Sequence, residues 1–275
     1  MTRATLTDVL TPALAQGYAV AGVVCLGWED ARAYTRAAEL EGLPIILQAG
    51  PGARAHMPIS VWGAMFGELA ESVSVPVVSH LDHGTSLEDC ATAIAAGFSS
   101  VMFDGSALPL SQNIARTAEI AEMAHAAGVS CEGEIGYVGY ADGAKSRGTD
   151  PEEAARFAQE TGIDAMAISI GNVHLQQEKH QGLDCNRLAA IEALCDIPLV
   201  IHGGSGVPVR ERQDLARMSK ICKFNIGTEL RMGFGAALSH VMSEQPAEFD
   251  RIKILCQTEE ALVALTRPVL RALKP

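Results

Sequence analysis

Three histidines stand where short apolar runs give out. His83 sits in Ser79–Gly84 (SHLDHG) behind Val75-Pro-Val-Val, His174 ends AMAISIGNVH, and His202 follows the run IPLVI and leads into GGSG. A neutral imidazole offers one nitrogen lone pair to a cation, and three of them are a common protein set for a catalytic zinc with its fourth position open. A lone histidine is more often structural than a ligand. Three in the same setting, with Asp82 directly beside the first, point to a metal centre with an acid–base group next to it.

Such residues act together only if the ends of separate strands meet. Apolar runs of strand length occur at Tyr18–Leu26, Ile45–Gln48, Val75–Ser79, Ser99–Phe103, Ser130–Ile135, Ala165–Ile170, Pro198–Ile201 and Ile221–Ile226. Helical patterns lie between them: Trp28–Glu41, Ile59–Ser72, Ser86–Ala96, Leu110–Ala127, Pro151–Thr161, Asn186–Leu194 and Val209–Met218, with Leu6–Gln16 before the first. Gly17, Gly42, Gly97 and Gly128 supply helix stops, and Asp-Pro-Glu-Glu at 150–153 supplies a helix start. Ala49-Gly-Pro-Gly52 reads as a flexible loop, and 136–150 as a polar, Gly-rich one. Eight strands each followed by a helix predict an α/β fold, a (β/α)8 TIM barrel, as a single domain over 1–275. A C-terminal helical extension runs from about Glu229 and breaks near Pro246. The first strand lacks the G-x-G-x-x-G turn of a dinucleotide-binding sheet.

In a barrel of this kind, polar residues past the strand carboxyl ends face the catalytic mouth. That rule gathers Gln48, Asp82, His83, Asp104, Glu132 or Glu134, Asn172, His174, His202, Ser205, Asn225 and Thr228. His80 is expected to point oppositely to Leu81. Lys223 and Arg231 add charge near the last two loops or form exposed ion pairs.

The net charge of −12 argues against nucleic acid and against an anionic membrane as partners. No apolar run reaches the roughly 18 residues of a membrane span, and MTRATLTDVL lacks a signal-peptide pattern. Seven dispersed cysteines without a CxxC spacing fit reduced thiols and a cytoplasmic location.

LDHG, MFDGS, EGEIG, IGNVH, VIHGGSG and FNIGTELR, in this order and spacing, resemble the class II metal-dependent aldolases, nearest the fructose-bisphosphate and tagatose-bisphosphate type. The similarity runs from about Gly17 to Leu238. It implies that His83, His174 and His202 hold a catalytic Zn2+ (or Co2+ or Mn2+), with a monovalent cation as a further option. By the same resemblance Asp82 exchanges the proton of the substrate hydroxyl at the breaking bond, and Asp104 and Glu134 hold a second metal position. Gly203, Gly204, Ser205, Asn225, Gly227 and Thr228 match loops for one substrate phosphate, which backbone N–H groups and hydroxyls can surround without net charge. A homodimer or homotetramer is implied as well.

The departures from the family lie on the substrate side. Leu175-Gln176-Gln177 stands where Gly, an aromatic and a basic residue are usual. Val24 and Leu26 replace amides, and Gly50 a hydroxyl. The family's Gly-Gly and acids become Gly139-Tyr140-Ala141-Asp142; by the resemblance Asp142 takes the proton role on the ketone fragment, the alternatives being that Tyr140 or a water supplies it or that the role is lost. The expectation is a metal-dependent aldolase that cleaves a phosphorylated ketose to dihydroxyacetone phosphate and an aldehyde, its substrate other than a standard hexose bisphosphate. The alternative is a non-catalytic aldolase-like subunit or phosphometabolite-binding protein.

Overall fold

Each apolar run becomes a strand buried on both faces, the environment of parallel strands covered by helices. In the computed structural model, which describes residues 2–141, 143, 145–178 and 182–274, these strands are β1 (Val20–Val24), β2 (Ile45–Ala49), β3 (Val77–Gly84), β4 (Ser100–Phe103), β5 (Ser130–Ile135), β6 (Ala165–Ile168), β7 (Leu199–Ile201) and β8 (Ile221–Ile226). They pair in parallel in chain order, and β8 returns to β1 to close the barrel. The connecting helices are α2 (Trp28–Glu41), α3 (Pro51–His56), α4 (Ile59–Glu71), α5 (Leu87–Ala95), α6 (Leu110–Ala126), α7 (Pro151–Thr161), α8 (Cys185–Leu194) and α9 (Val209–Met218), with α1 (Leu6–Gln16) ahead of β1.

Two apolar clusters hold the barrel. The larger lies between strands and helices and includes Leu47, Leu81, Phe103, Phe157 and Phe224. The smaller fills the floor, where Leu6, Val9, Leu10 and Ala13 of α1 pack on Val20, Ile46, Val78 and Val200. Helix α1 can sit there because Thr5 and Asp8 cap each other's backbone N–H groups and Gly17, at φ +68°, turns the chain straight into β1. Above the floor the inward-facing residues become polar: Gln48, His80, Glu132, Lys223 and Asn225 are all buried. Their neighbours Leu47, Leu81 and Phe224 belong to the outer cluster, as the two-residue period of a strand requires.

The structure changes three expectations. Ala49-Gly-Pro-Gly52 is no flexible loop: Pro51 starts the short helix α3, a position that costs no backbone donor. Strand β3 runs five residues past the expected Ser79, to Gly84. Strand β6 ends at Ile168, two residues before the expected Ile170 and six before His174. At the C-terminus, α10 (Thr228–Glu244) and α11 (Arg251–Leu273) are separated around Pro246. Helix α11 packs along α2 with ion pairs Arg32–Glu259, Arg36–Glu260 and Arg267–Glu41. Among the described residues no helix is long and apolar enough to cross a membrane.

Candidate active site

Alternation along β3 turns His80 inward and Leu81 outward, and would turn Asp82 inward and His83 outward again. A bulge prevents the last step. Leu81 pairs with Val101 but Gly84 with Phe103, so β3 carries one more residue than β4 across the same span. His83 takes the left-handed conformation, φ +52°, and both side chains face the mouth. A non-Gly residue held there costs about 1–3 kcal/mol. Arg54 offsets it by donating to three carbonyls, those of Ala49 at 2.9 Å, Asp82 at 2.5 Å and His83 at 2.9 Å.

His83 Nδ1 lies 2.7 Å from Asp104 Oδ2. A carboxylate only accepts, so Nδ1 carries a proton, and Nε2, which bears the lone pair once the ring is neutral, faces away from Asp104. Asp104 is held in turn by the backbone N–H and hydroxyl of Ser106. His202 repeats the device in mirror order: Nε2 donates to Glu132 Oε1 at 3.1 Å, leaving the Nδ1 lone pair free. Glu132 Oε2 accepts from Lys223 Nζ at 2.6 Å, and that ammonium also lies 3.4 Å from His80 Nε2.

His174 reaches the same place by a longer route. Gly171 (φ +102°) turns the chain after β6. The Asn172 amide then donates to the carbonyls of Ile168 and His202 and accepts from the N–H of Ile170. The imidazole centroids stand 4.7 Å (His83–His202), 5.1 Å (His83–His174) and 5.6 Å (His174–His202) apart, and one nitrogen from each falls within 4.8 Å of the others. His83, Asp104 and Glu134 make a second group of the same span.

The donor set fits a divalent cation on grounds internal to the structure. Among the described residues, nothing hydrogen-bonds the buried His83 Nε2, His202 Nδ1 or Glu134 Oε2. Orphaned buried acceptors of this kind are costly unless an ion or a proton satisfies them. Electrostatics agree: burial raises the Glu134 carboxyl, with help from Asp104, to about 8. Burial opposes a charge on His83, yet Asp82, Asp104 and Glu134 outweigh it and lift that imidazole to about 10. The acids around the triad call for positive charge.

Asp82 is fixed beside it. The side-chain amides of Gln48 and Asn225 both donate to its Oδ1, at 3.0 and 3.3 Å. Burial alone would raise the Asp82 carboxyl; the imidazoles of His83 and His202 and the Lys223 ammonium outweigh it and hold it below its usual range. The two amides converge because position 22 is Gly. A Cβ there would lie 2.2 Å from Gln48 Oε1 and 3.0 Å from Asn225 Oδ1.

A cavity of about 250 Å³ opens above these groups. One wall is made by Gly203, Ser205, Gly227, Thr228 and Arg231. Gly203 takes φ +67°, and a Cβ there would meet the Val173 carbonyl at 2.1 Å. The Ser205 hydroxyl accepts from the N–H groups of Gly227 (3.2 Å) and Glu229 (3.3 Å), tying the turn after β7 to the start of α10. Gly204, the first residue of that turn, is buried. Arg231 lines the cavity, and its buried Nε has no partner among the described residues. Val24, Leu26, Gly50, Tyr140 and Leu175 complete the lining, with Leu175 in the left-handed conformation at φ +58°.

The structure brings Asp82, His83, Asp104, Glu134, His174, His202 and the two glycine-rich turns together at one end of the barrel. Asp142 lies outside the described residues. Lys223 is the correction: it lines neither the cavity nor the surface but sits in the barrel interior, because β8 alternation puts it inward with Asn225. Arg54 escaped sequence reading, since its partners are carbonyls that leave no trace in residue types.

Comparison with known proteins follows the same lines. The model for the family described as Fructose-bisphosphate aldolase class-II matches residues 4–274. The chain is 38% identical over 269 residues to the 6-phospho-5-dehydro-2-deoxy-D-gluconate aldolase of Shouchella clausii, covering 95% of this chain and 90% of that protein. It is 37% identical over 264 residues to a probable fructose-bisphosphate aldolase of Bacillus subtilis, covering 94% and 92%. The crystal structure of the YdjI aldolase from Escherichia coli K12 superposes with a TM-score of 0.86 at 27% identity, over 98% of this chain and 97% of that one.

Proposed function

This chain belongs to the class II fructose-bisphosphate aldolase family, and from that premise we propose that it is a metal-dependent aldehyde-lyase acting on a ketose that carries one phosphate. The observation that carries the reading is the convergence of three imidazoles, two with orphaned buried nitrogens, on a cavity that Asp82 shares with two glycine-rich turns.

In this reading His83, His174 and His202 hold a divalent ion, Zn2+, Co2+ or Mn2+. Bound there, the ion acts as a Lewis acid on the ketone and stabilises the negative charge left when the carbon–carbon bond breaks. Asp82 takes the proton from the hydroxyl of the carbon that departs as aldehyde. As the O–H bond breaks, a C=O forms, and the electron pair of the carbon–carbon bond stays with the ketone fragment. Gln48 and Asn225 hold the carboxylate in place for that transfer, because the amide protons they direct at it favour the ionised form. Asp142 is the proposed source of the proton that completes dihydroxyacetone phosphate. Asp104 and Glu134 remain the proposed second ion position, which an ion takes in competition with the His83–Asp104 bond.

Gly203, Gly204 and Ser205 with Asn225, Gly227 and Thr228 are the proposed phosphate site. Among the described cavity residues Arg231 is the one guanidinium and there is no ammonium, which supports one phosphate over two. Val24, Leu26 and Leu175 present hydrocarbon, so hydroxyls facing them lose hydrogen bonds to water without replacement. The Shouchella clausii relative is named for a substrate with one phosphate and a deoxy carbon, and this supports the same class here.

The test is triose-phosphate release from a panel of mono- and bisphosphorylated ketoses, deoxygenated members included, with chelator and with metal restored. Chelator-sensitive cleavage of a monophosphate is the expected result. Silence across the panel from a metal-loaded protein would overturn the lyase reading in favour of a binding role.

A further inference from the structure

Two of the three imidazoles are oriented by carboxylates, His83 by Asp104 and His202 by Glu132. Among the described residues no side chain hydrogen-bonds the ring of His174. What the structure gives it instead is an aromatic face: the Tyr140 ring lies 4.9 Å from the His174 ring, centroid to centroid, at an interplanar angle of 28°. The backbone reinforces the pairing on both sides. His174 donates its N–H to the Gly139 carbonyl at 2.8 Å, and Ala141 donates to the His174 carbonyl at 3.1 Å, forming a parallel bridge between Tyr140 and His174.

The segment that carries Tyr140 is anchored at its base. Tyr137 and Arg147 exchange backbone hydrogen bonds. The Ser146 hydroxyl accepts from Gly139 N–H and donates to the Asn172 carbonyl, and Arg147 reaches the Ser106 carbonyl. The loop and the His174 segment thus form one stitched unit. Tyr140 also lines the cavity with Asp82 and His83.

We infer that Tyr140 is a positioning residue for the third metal ligand: its ring performs for His174, by stacking, the orienting that a carboxylate performs for His83 and His202. Offset aromatic stacking favours one ring plane over others, and losing an outer partner of a metal-ligating histidine typically weakens metal affinity 10- to 100-fold. The inference rests on the metal-binding reading of the triad. It assigns the effect to the ring and not to the phenolic hydroxyl.

The experiment is competition for Zn2+ between a chromogenic chelator and the full-length protein, as wild type, Tyr140→Phe and Tyr140→Ala. Spectra of the Co2+-loaded proteins give a second readout independent of turnover. Tyr140 is 44% exposed on a loop, so its truncation leaves the barrel folded, and thermal unfolding of the metal-free proteins checks this. The expected result is affinity about tenfold lower for Tyr140→Ala with an altered Co2+ spectrum, and wild-type values for Tyr140→Phe. Wild-type affinity and spectrum in Tyr140→Ala overturn the inference while leaving the metal site standing. A loss shared by Tyr140→Phe overturns the assignment to the ring. A wild type that holds no metal overturns the metal reading itself.

Discussion

Lys223 and Glu132 form an ion pair at 2.6 Å inside the barrel, and neither side chain reaches solvent. The pair links a charge on β8 to the far nitrogen of His202, just past β7, through a carboxylate on β5. Each member makes sense only with the other, because an unpaired buried charge is far more costly than an absent pair.

Lys223→Met should therefore destabilise the protein by about 3–5 kcal/mol. Adding Glu132→Gln should recover most of that loss, since the amide oxygen still accepts from His202 and no charge is stranded. Urea denaturation of the single and double variants, metal-free, measures both; equal stability of the two would show that the pair is not coupled.

Asp82→Asn keeps the shape of the site and removes the proton acceptor. Turnover should fall by about 10²–10⁴-fold, the usual range for a positioned acid–base group, while bound metal stays near one equivalent per chain. Steady-state kinetics beside metal analysis tests this, and loss of metal together with activity would assign Asp82 a structural role instead.

The metal-free site should respond to pH through His83. Its folded value is raised to about 10 from an ordinary 6.5, with Asp82, Asp104 and Glu134 overcoming burial. A raised basic group contributes stability that is complete below pH 6.5 and is lost as pH climbs towards 10. The metal-free protein should thus melt progressively lower across that window. Metal must displace the same proton, so its apparent affinity should rise over the same interval. Calorimetric titration in buffers of different ionisation enthalpy should register proton release at pH 7. No release there would mean that His83 is already neutral.

Leu175→Gly relieves a left-handed leucine and opens the apolar wall. The strain it removes, about 1–2 kcal/mol, is partly offset by the flexibility that glycine adds to the unfolded chain. Stability should be unchanged or slightly higher, and kcat/KM for more hydroxylated ketoses should rise relative to deoxygenated ones. An unchanged substrate ratio would remove Leu175 from the specificity wall.

The barrel was legible because each strand is an apolar run bounded by Gly, Pro or Asp, and because Gly17, Gly42 and Gly97 close helices in the positive-φ conformation that only glycine adopts freely. The triad was legible by residue type but not by direction. Strict alternation would turn His83 outward, and the inserted residue that reverses it has no signature in SHLDHG. Reading Ser169 and Ile170 as strand puts His174 at a strand end, whereas Asn172 folds the segment back with its own amide. Lys223, a charged residue in an apolar run, reads as a rim residue until its partner, Glu132, is found 91 positions away.

The bulge in β3 has a mechanical consequence. It makes the proposed proton acceptor and the first metal ligand consecutive residues on one side of the strand, so their spacing is set by a single peptide unit, about 3.8 Å between Cα atoms. Packing and hydrogen bonds between separate elements set most distances across the mouth, whereas the Asp82–His83 spacing is covalent. Thermal loosening should therefore disturb the proposed phosphate site, which is built from the turns after β7 and β8, before it separates Asp82 from His83.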